Sequence, residues 1–172
     1  MAGPLTPETL IERLGLVPLP VEGGHYRQTW VSETVTAAGL PARYGRDKPL
    51  GTAIYYLLTD DPDSFSALHR LPTDEIYHFY LGDPVEMLLL HPERGGEVVV
   101  LGPDIRAGQN VQLVVPRAVW QGSRLAPGGR FALMGTTMAP GFDPRDYEGG
   151  VRAALIAAYP DQAERIRRLT RS

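Results

Sequence analysis

The sequence predicts an all-β fold, an antiparallel sandwich or closed barrel, with a helix before the strands and helices after them. Two observations carry this. Between roughly Gly24 and Met138 the chain is a series of short runs rich in branched and aromatic residues, each bounded by turn residues, with no helical pattern between them. The 19 glycines and 16 prolines then belong to turns.

The elements follow in order. Thr6-Pro7-Glu8 starts a helix, with threonine placed to cap and proline where its missing N–H costs nothing, and Leu10, Ile11 and Leu14 share one face. Gly15 ends it. Thr52-Ala53-Ile54-Tyr55-Tyr56-Leu57-Leu58, Val85-Glu86-Met87-Leu88-Leu89-Leu90 and Val98-Val99-Val100-Leu101 read as strands. Asp60-Asp61-Pro62-Asp63, Gly82-Asp83-Pro84, Arg94-Gly95-Gly96 and Ala126-Pro127-Gly128-Gly129 separate them. Val151 to Ala158 reads helical, Pro160-Asp161 restarts the chain, and a last helix runs to about Leu169. The expectation is one domain over residues 1–172, with terminal helices at about 6–15 and 150–170 packed on the strands.

Composition narrows the function. A chain of 172 residues buries enough surface for a core without staples. There is no cysteine, so disulfides and thiolate chemistry are excluded. Met1-Ala2-Gly3-Pro4-Leu5 carries no basic start before an apolar stretch, and no apolar run approaches the ~20 residues of a membrane span. A cytoplasmic location is the expectation. The formal charge of −3 offers no footprint for nucleic acid or an anionic membrane. Lys48 is the sole lysine and Asn110 the sole asparagine, which fits compositional bias. The basic run Arg165 to Arg171 has the apolar spacing of a solvated terminal helix.

Two segments concentrate polar chemistry. Leu68-His69-Arg70-Leu71-Pro72-Thr73-Asp74-Glu75-Ile76-Tyr77-His78-Phe79-Tyr80-Leu81-Gly82 holds two of the four histidines, with a carboxylate six positions after the first. Val115-Pro116-Arg117-Ala118-Val119-Trp120-Gln121-Gly122 follows. With Glu22-Gly23-Gly24-His25-Tyr26-Arg27-Gln28-Thr29, Gly108 to Pro116 and Ala139-Pro140-Gly141-Phe142-Asp143, these stretches resemble the cupin superfamily, and within it the DUF985 (cupin-5) branch. The resemblance covers most of the chain from about residue 6 to the end. It implies a jelly-roll β-barrel and a homodimer, since the branch resembles deoxysugar epimerases that pair through N-terminal strands. His25 and Gln28 stand where an aromatic residue and a glutamate are usual.

The wider superfamily carries a three-histidine, one-glutamate metal site. By resemblance His69 fits the first histidine, Glu75 the glutamate, Gly82 the closing glycine and Pro116 the later proline. Asp63, Leu71, Ala118 and Gln121 replace the leading glycine, second histidine, later glycine and last histidine. No cofactor is therefore expected, and at most a weakly held divalent metal on His69, Glu75, His78 and Gln121. Glu75 and His78 lie an odd number of residues apart, so an unbroken strand turns them to opposite faces and only a bulge brings both inward.

What remains suits proton chemistry, because an imidazole titrates near neutral pH and an adjacent carboxylate fixes its tautomer. His69, Glu75 and His78 are the candidate catalytic residues, His69 being the base by resemblance. Tyr55, Tyr56, Tyr77 and Tyr147 are candidate proton donors. Tyr55, Gln112 and Gln121 are candidate ligand contacts, the glutamines because a buried amide must find partners. Arg27 could clamp an anion or pair with an acid of a dimer partner. Trp120 is a candidate platform, although aromatic residues of this kind more often fill cores. Glu75 has the alternative of a turn carboxylate, His25 of an interface residue, and His91 of a solvent-exposed loop position. Three functions compete: a metal-independent isomerase, epimerase or dehydratase on a sugar-like or nucleotide-linked molecule, a metal-dependent cupin enzyme, and a ligand-binding protein without chemistry.

Overall fold

The computed structural model describes residues 3–171; Met1, Ala2 and Ser172, which the expected domain and leader-free start take in, lie outside the described residues. Helix α1 (Pro7–Leu14) opens as its sequence requires: the Thr6 side chain accepts the Thr9 N–H, and Gly15 adopts the left-handed conformation (φ 61°) that closes the last turn. Thr6→Ala should cost about 1 kcal/mol in chemical denaturation, the usual worth of such a cap.

Thirteen strands follow: β1 (Val17–Pro18), β2 (His25–Val31), β3 (Thr34–Val35), β4 (Lys48–Pro49), β5 (Thr52–Thr59), β6 (Ser66–Arg70), β7 (Glu75–Gly82), β8 (Val85–His91), β9 (Gly95–Leu101), β10 (Gln112–Val115), β11 (Trp120–Leu125), β12 (Phe131–Met138) and β13 (Glu148–Gly149). Helices α2 (Arg152–Ala158) and α3 (Ala163–Arg168) complete the chain, joined by a 3-10 turn at Pro160–Gln162. One sheet has the order β1-β2-β5-β12-β7-β10 and the other β13-β6-β11-β8-β9, while β3 and β4 form a short ribbon. The arrangement is a jelly roll of two facing antiparallel sheets, which bears out the jelly-roll expectation and, of the alternatives sandwich and closed barrel, is the sandwich. Each sheet ends in its own edge strand instead of pairing on into the other. No helix among the described residues is long and apolar enough to cross a membrane.

Alternation along the strands divides the apolar residues into three groups. Tyr56, Leu58, Tyr77, Phe79, Met87, Leu89 and Met134 point between the sheets and form the main core. On the outside of the six-stranded sheet, Leu57 and Leu133 meet Leu10 of α1 and Leu16. On the outside of the five-stranded sheet, Leu68, Leu88 and Leu90 meet Leu155 of α2, and Ile166 and Leu169 of and after α3. The terminal helices thus cover faces that would otherwise expose apolar side chains. The edge of β6 is also closed, since Leu68 N–H donates to the Leu169 carbonyl at 2.7 Å and Ala67 N–H to the Glu22 carbonyl at 2.8 Å.

Candidate functional site

At one end of the sandwich the inner faces part around a cavity of about 330 Å³ whose walls include Glu22, Tyr26, Tyr56, His69, Leu71, Glu75, Tyr77, Thr136 and Phe142. That lies near the small end of the ~300–1,000 Å³ range of ligand sites. Strand register explains the membership. On β7, Glu75 and Tyr77 face inward and the residues between them outward. On β6 and β11, His69 and Gln121 are direct cross-strand partners.

His69 is only 2% exposed. Its Nδ1 lies 2.8 Å from the Ala67 carbonyl, which can only accept, so Nδ1 carries a proton and Nε2 is the atom that holds the lone pair in the basic form of the ring. Nε2 has no hydrogen-bond partner among the described residues, and the His69 side chain forms part of the cavity wall, so Nε2 is the ring nitrogen left to meet a ligand there. The ring stacks on Tyr147, with centroids 5.0 Å apart and planes at 19°. Tyr147 is held there because β13 pairs with β6, placing Gly149 opposite His69.

Glu75 is buried and accepts the Gln121 amide Nε2–H at 2.9 Å. Burial pushes its carboxyl above the ordinary value of 4.5; the His69 ring and the Thr136 and Gln121 hydrogen bonds oppose this, and Glu22 reinforces it. An acid raised in the folded state binds more protons than the unfolded chain, so stability declines as pH climbs from about 4.5 through the folded value. Glu75→Gln should therefore stabilise the protein above that window and change little below it, read as melting temperature against pH. Burial, the foremost cause, together with neighbouring carboxylates also raises Tyr77 and Tyr56, so both phenols stay protonated donors, and the Tyr56 hydroxyl donates to the Gly23 carbonyl at 3.0 Å.

The structure brings together His69, Glu75 and Gln121 and leaves the other candidates elsewhere. His78 falls on the outer face of the six-stranded sheet, where its Nε2 meets the Thr137 hydroxyl at 3.0 Å and its Nδ1 the Gln112 amide at 3.3 Å. Both residues are thus corrected out of the cavity. The only β7 irregularity opposite β12 comes after His78, between the pairs Phe79–Met134 and Leu81–Leu133, so no bulge turns His78 inward. Arg27 and Tyr55 are partners on the same outer face, with the guanidinium 5.5 Å from the ring centroid. Their neighbours Tyr26 and Tyr56 line the cavity instead. Trp120 packs against the C-terminal helices, and Arg70 lies 4.6 Å over its ring while making a two-pronged contact to Glu148 at 2.7 and 2.8 Å. It supports β13, and through it Tyr147, without touching the cavity. His91 is buried against Glu97 at 2.7 Å and is not the exposed loop residue expected.

Glu22 is the cavity acid that sequence reasoning missed, and Tyr26, Thr136 and Phe142 were not singled out either. The Glu22 carboxylate accepts the Ser66 hydroxyl at 2.9 Å. The only signal for it was the adjacent Gly23-Gly24 pair, both at positive φ (106° and 70°), which lets the loop fold back over the strands. As a metal site the donor set does not fit: among the described residues no group of three or more His, Asp or Glu side chains gathers to hold an ion, Leu71 is an apolar wall, and Gln121, whose Nε2–H is given to Glu75, offers only a neutral amide oxygen.

A jelly roll of this topology with a polar cavity between its sheets defines a cupin. The chain belongs to the cupin superfamily family DUF985, whose model matches residues 8–149. It is 29% identical over 135 residues to the uncharacterised protein YML079W of Saccharomyces cerevisiae, a match spanning 73% of this chain and 66% of the yeast protein. Two solved structures are similar over nearly the whole length. A hypothetical protein from Leishmania major has 30% identity and a TM-score of 0.86, covering 98% of this chain and 100% of that one. A protein from Shewanella oneidensis has 32% identity and a TM-score of 0.84, covering 98% and 99%. Oxalate decarboxylase from Bacillus subtilis, at 14% identity and a TM-score of 0.52 over 90% of this chain and 37% of its own, shares the fold alone. Family and fold support a small-molecule-binding cupin.

Proposed function

We propose that the cavity carries out metal-independent proton transfer on a small, sugar-like molecule, as an isomerase, epimerase or dehydratase. The observation that carries the reading is His69, whose Nδ1–H is fixed on the Ala67 carbonyl while Nε2 is left unpartnered in the wall of a cavity that also holds a buried acid. In the isomerase form, Nε2 removes the proton from a carbon next to a carbonyl. The C–H electron pair becomes the carbon–carbon double bond of an enol, and the carbonyl oxygen takes a proton from Glu75. His69 then gives its proton to the former carbonyl carbon while the Glu75 carboxylate takes the proton of the neighbouring enediol hydroxyl, whose oxygen becomes the new carbonyl; this completes the isomerisation and restores both residues. A carboxyl raised by burial is suited to holding that proton. The aromatic walls of Tyr26, Tyr56 and Phe142 suit the apolar faces of a sugar ring.

The test uses chelator-washed protein in deuterated water with a panel of free aldoses, ketoses and their dehydrated forms. Carbon-bound deuterium appearing in one member, read by mass spectrometry, is the expected result; no incorporation above a protein-free control overturns the reading.

The same reading includes a homodimer. The six-stranded sheet leaves Trp30, Tyr80 and Val114 about half exposed on strands β2, β7 and β10, a surface whose covering by a second copy would protect the sheet. Light scattering should give twice the chain mass at micromolar concentration; a monomer there overturns the pairing.

A further inference from the structure

We infer that the cavity selects a cationic, amine-bearing ligand and rejects anionic ones, because its walls present two carboxylates and one imidazole without a lysine or arginine among them. This rests on the cavity being the functional site. The wall carboxylates are Glu22, set by the Ser66 hydroxyl at 2.9 Å, and Glu75, set by the Gln121 amide at 2.9 Å. They enter from different elements, the loop before β2 and the start of β7, and face one space.

Two cations on segments next to wall residues are engaged elsewhere. Lys48, the sole lysine, is fully buried on the Asp146 carboxylate behind the segment that carries Phe142 and Pro144. Arg171 donates to the backbone carbonyls of Val21 at 3.0 Å, Glu22 at 3.4 Å and Asp63 at 3.2 Å, and stacks over Phe65. It holds the Glu22 loop from outside. A phosphate or carboxylate in the cavity would therefore meet like charge with no guanidinium to receive it.

Two further features point to a ligand and to its sign. His69, 2% exposed and part of the cavity wall, has an unpartnered Nε2, an acceptor that an N–H or O–H donor in the cavity can satisfy. Tyr26, Tyr56, Tyr77 and Phe142 make the wall rich in aromatic rings, a side-chain type that attracts ammonium groups. The two acids also act on one another: Glu22 adds to the upward shift that favours protonated Glu75, and an ammonium placed between them counters that shift and favours the ionised form.

The experiment compares molecules of one skeleton and different charge: glucosamine, glucose, glucuronate and glucose 6-phosphate, with cyclohexylamine, cyclohexanol and cyclohexanecarboxylate as a second series. Binding is followed at neutral pH by the imidazole ¹⁵N signal of His69 in full-length labelled protein. The amines should bind roughly tenfold or more tighter than the matched alcohols, and the anions should leave the His69 signal in place. Glu22→Gln keeps an acceptor for Ser66 and should shrink the amine-to-alcohol ratio toward one. Anions that bind as well as amines, amines no tighter than alcohols, or no amine binding in either series would overturn the inference. If anions prevail while deuterium wash-in persists, the charge selection fails and the proton-transfer reading stands; if amines are selected without wash-in, the charge selection stands and the proton-transfer reading fails.

Discussion

Lys48→Met should destabilise the protein by about 3–5 kcal/mol, the cost of leaving one partner of a buried ion pair alone. Lys48 is fully buried and its ammonium meets the Asp146 carboxylate, itself only 4% exposed as a side chain. Methionine fills the stem's volume, so the loss isolates the charge. Arg46, 3.7 Å from the other Asp146 oxygen and one-third exposed, supplies part of the missing countercharge and sets the expectation at the lower end of that range. Thermal unfolding would register a fall of ~10 °C for a domain of this size. The paired change Lys48→Met with Asp146→Leu should recover most of it, because both desolvation costs vanish together. If the single variant were as stable as the double, the pair would contribute nothing. The consequence reaches the cavity, since Asp146 belongs to the 3-10 turn Pro144–Asp146, which also carries the wall residue Pro144 and precedes Tyr147.

The contrast between what was legible in the sequence and what was not follows from the range of the forces involved. The ends of α1 were legible because Thr6 and Gly15 act on backbone groups within a turn of themselves. His69 and Glu75 were legible together, and Gln121 with them, because the motif spacing sets positions on neighbouring strands whatever side chains fill the rest of the motif. Assigning faces was harder. A strand turns every other residue outward, so taking Tyr55 instead of Tyr56, or Arg27 instead of Tyr26, is a one-residue error with a complete change of environment. His78 carried its own warning, an odd separation from Glu75, and β7 obeys it. Trp120 sits one residue from Gln121, hence on the opposite face, where it packs beneath the C-terminal helices. Glu22 was out of reach for a different reason. Its loop is positioned by contacts from Arg171, which lies 149 residues further along the chain, and no local pattern records such a contact.

Once a substrate is in hand, His69→Asn should lower turnover by roughly 10²–10⁴, the usual contribution of a positioned general base, while the fold melts at nearly the wild-type temperature. The choice of asparagine matters. Its amide nitrogen takes up the position of Nδ1 and can still donate to the Ala67 carbonyl, so the anchor seen at 2.8 Å is retained while the unpartnered Nε2 disappears. His69→Gln makes the complementary change, placing an amide near Nε2 and giving up the anchor. A residue that served only as packing for Tyr147 would tolerate asparagine or glutamine according to volume, and both variants would lose stability before activity. A base must instead fail in both variants, with kcat falling and KM little changed, because neither amide can accept a proton. Full turnover in either variant would remove His69 from the chemistry and leave the cavity as a binding site alone.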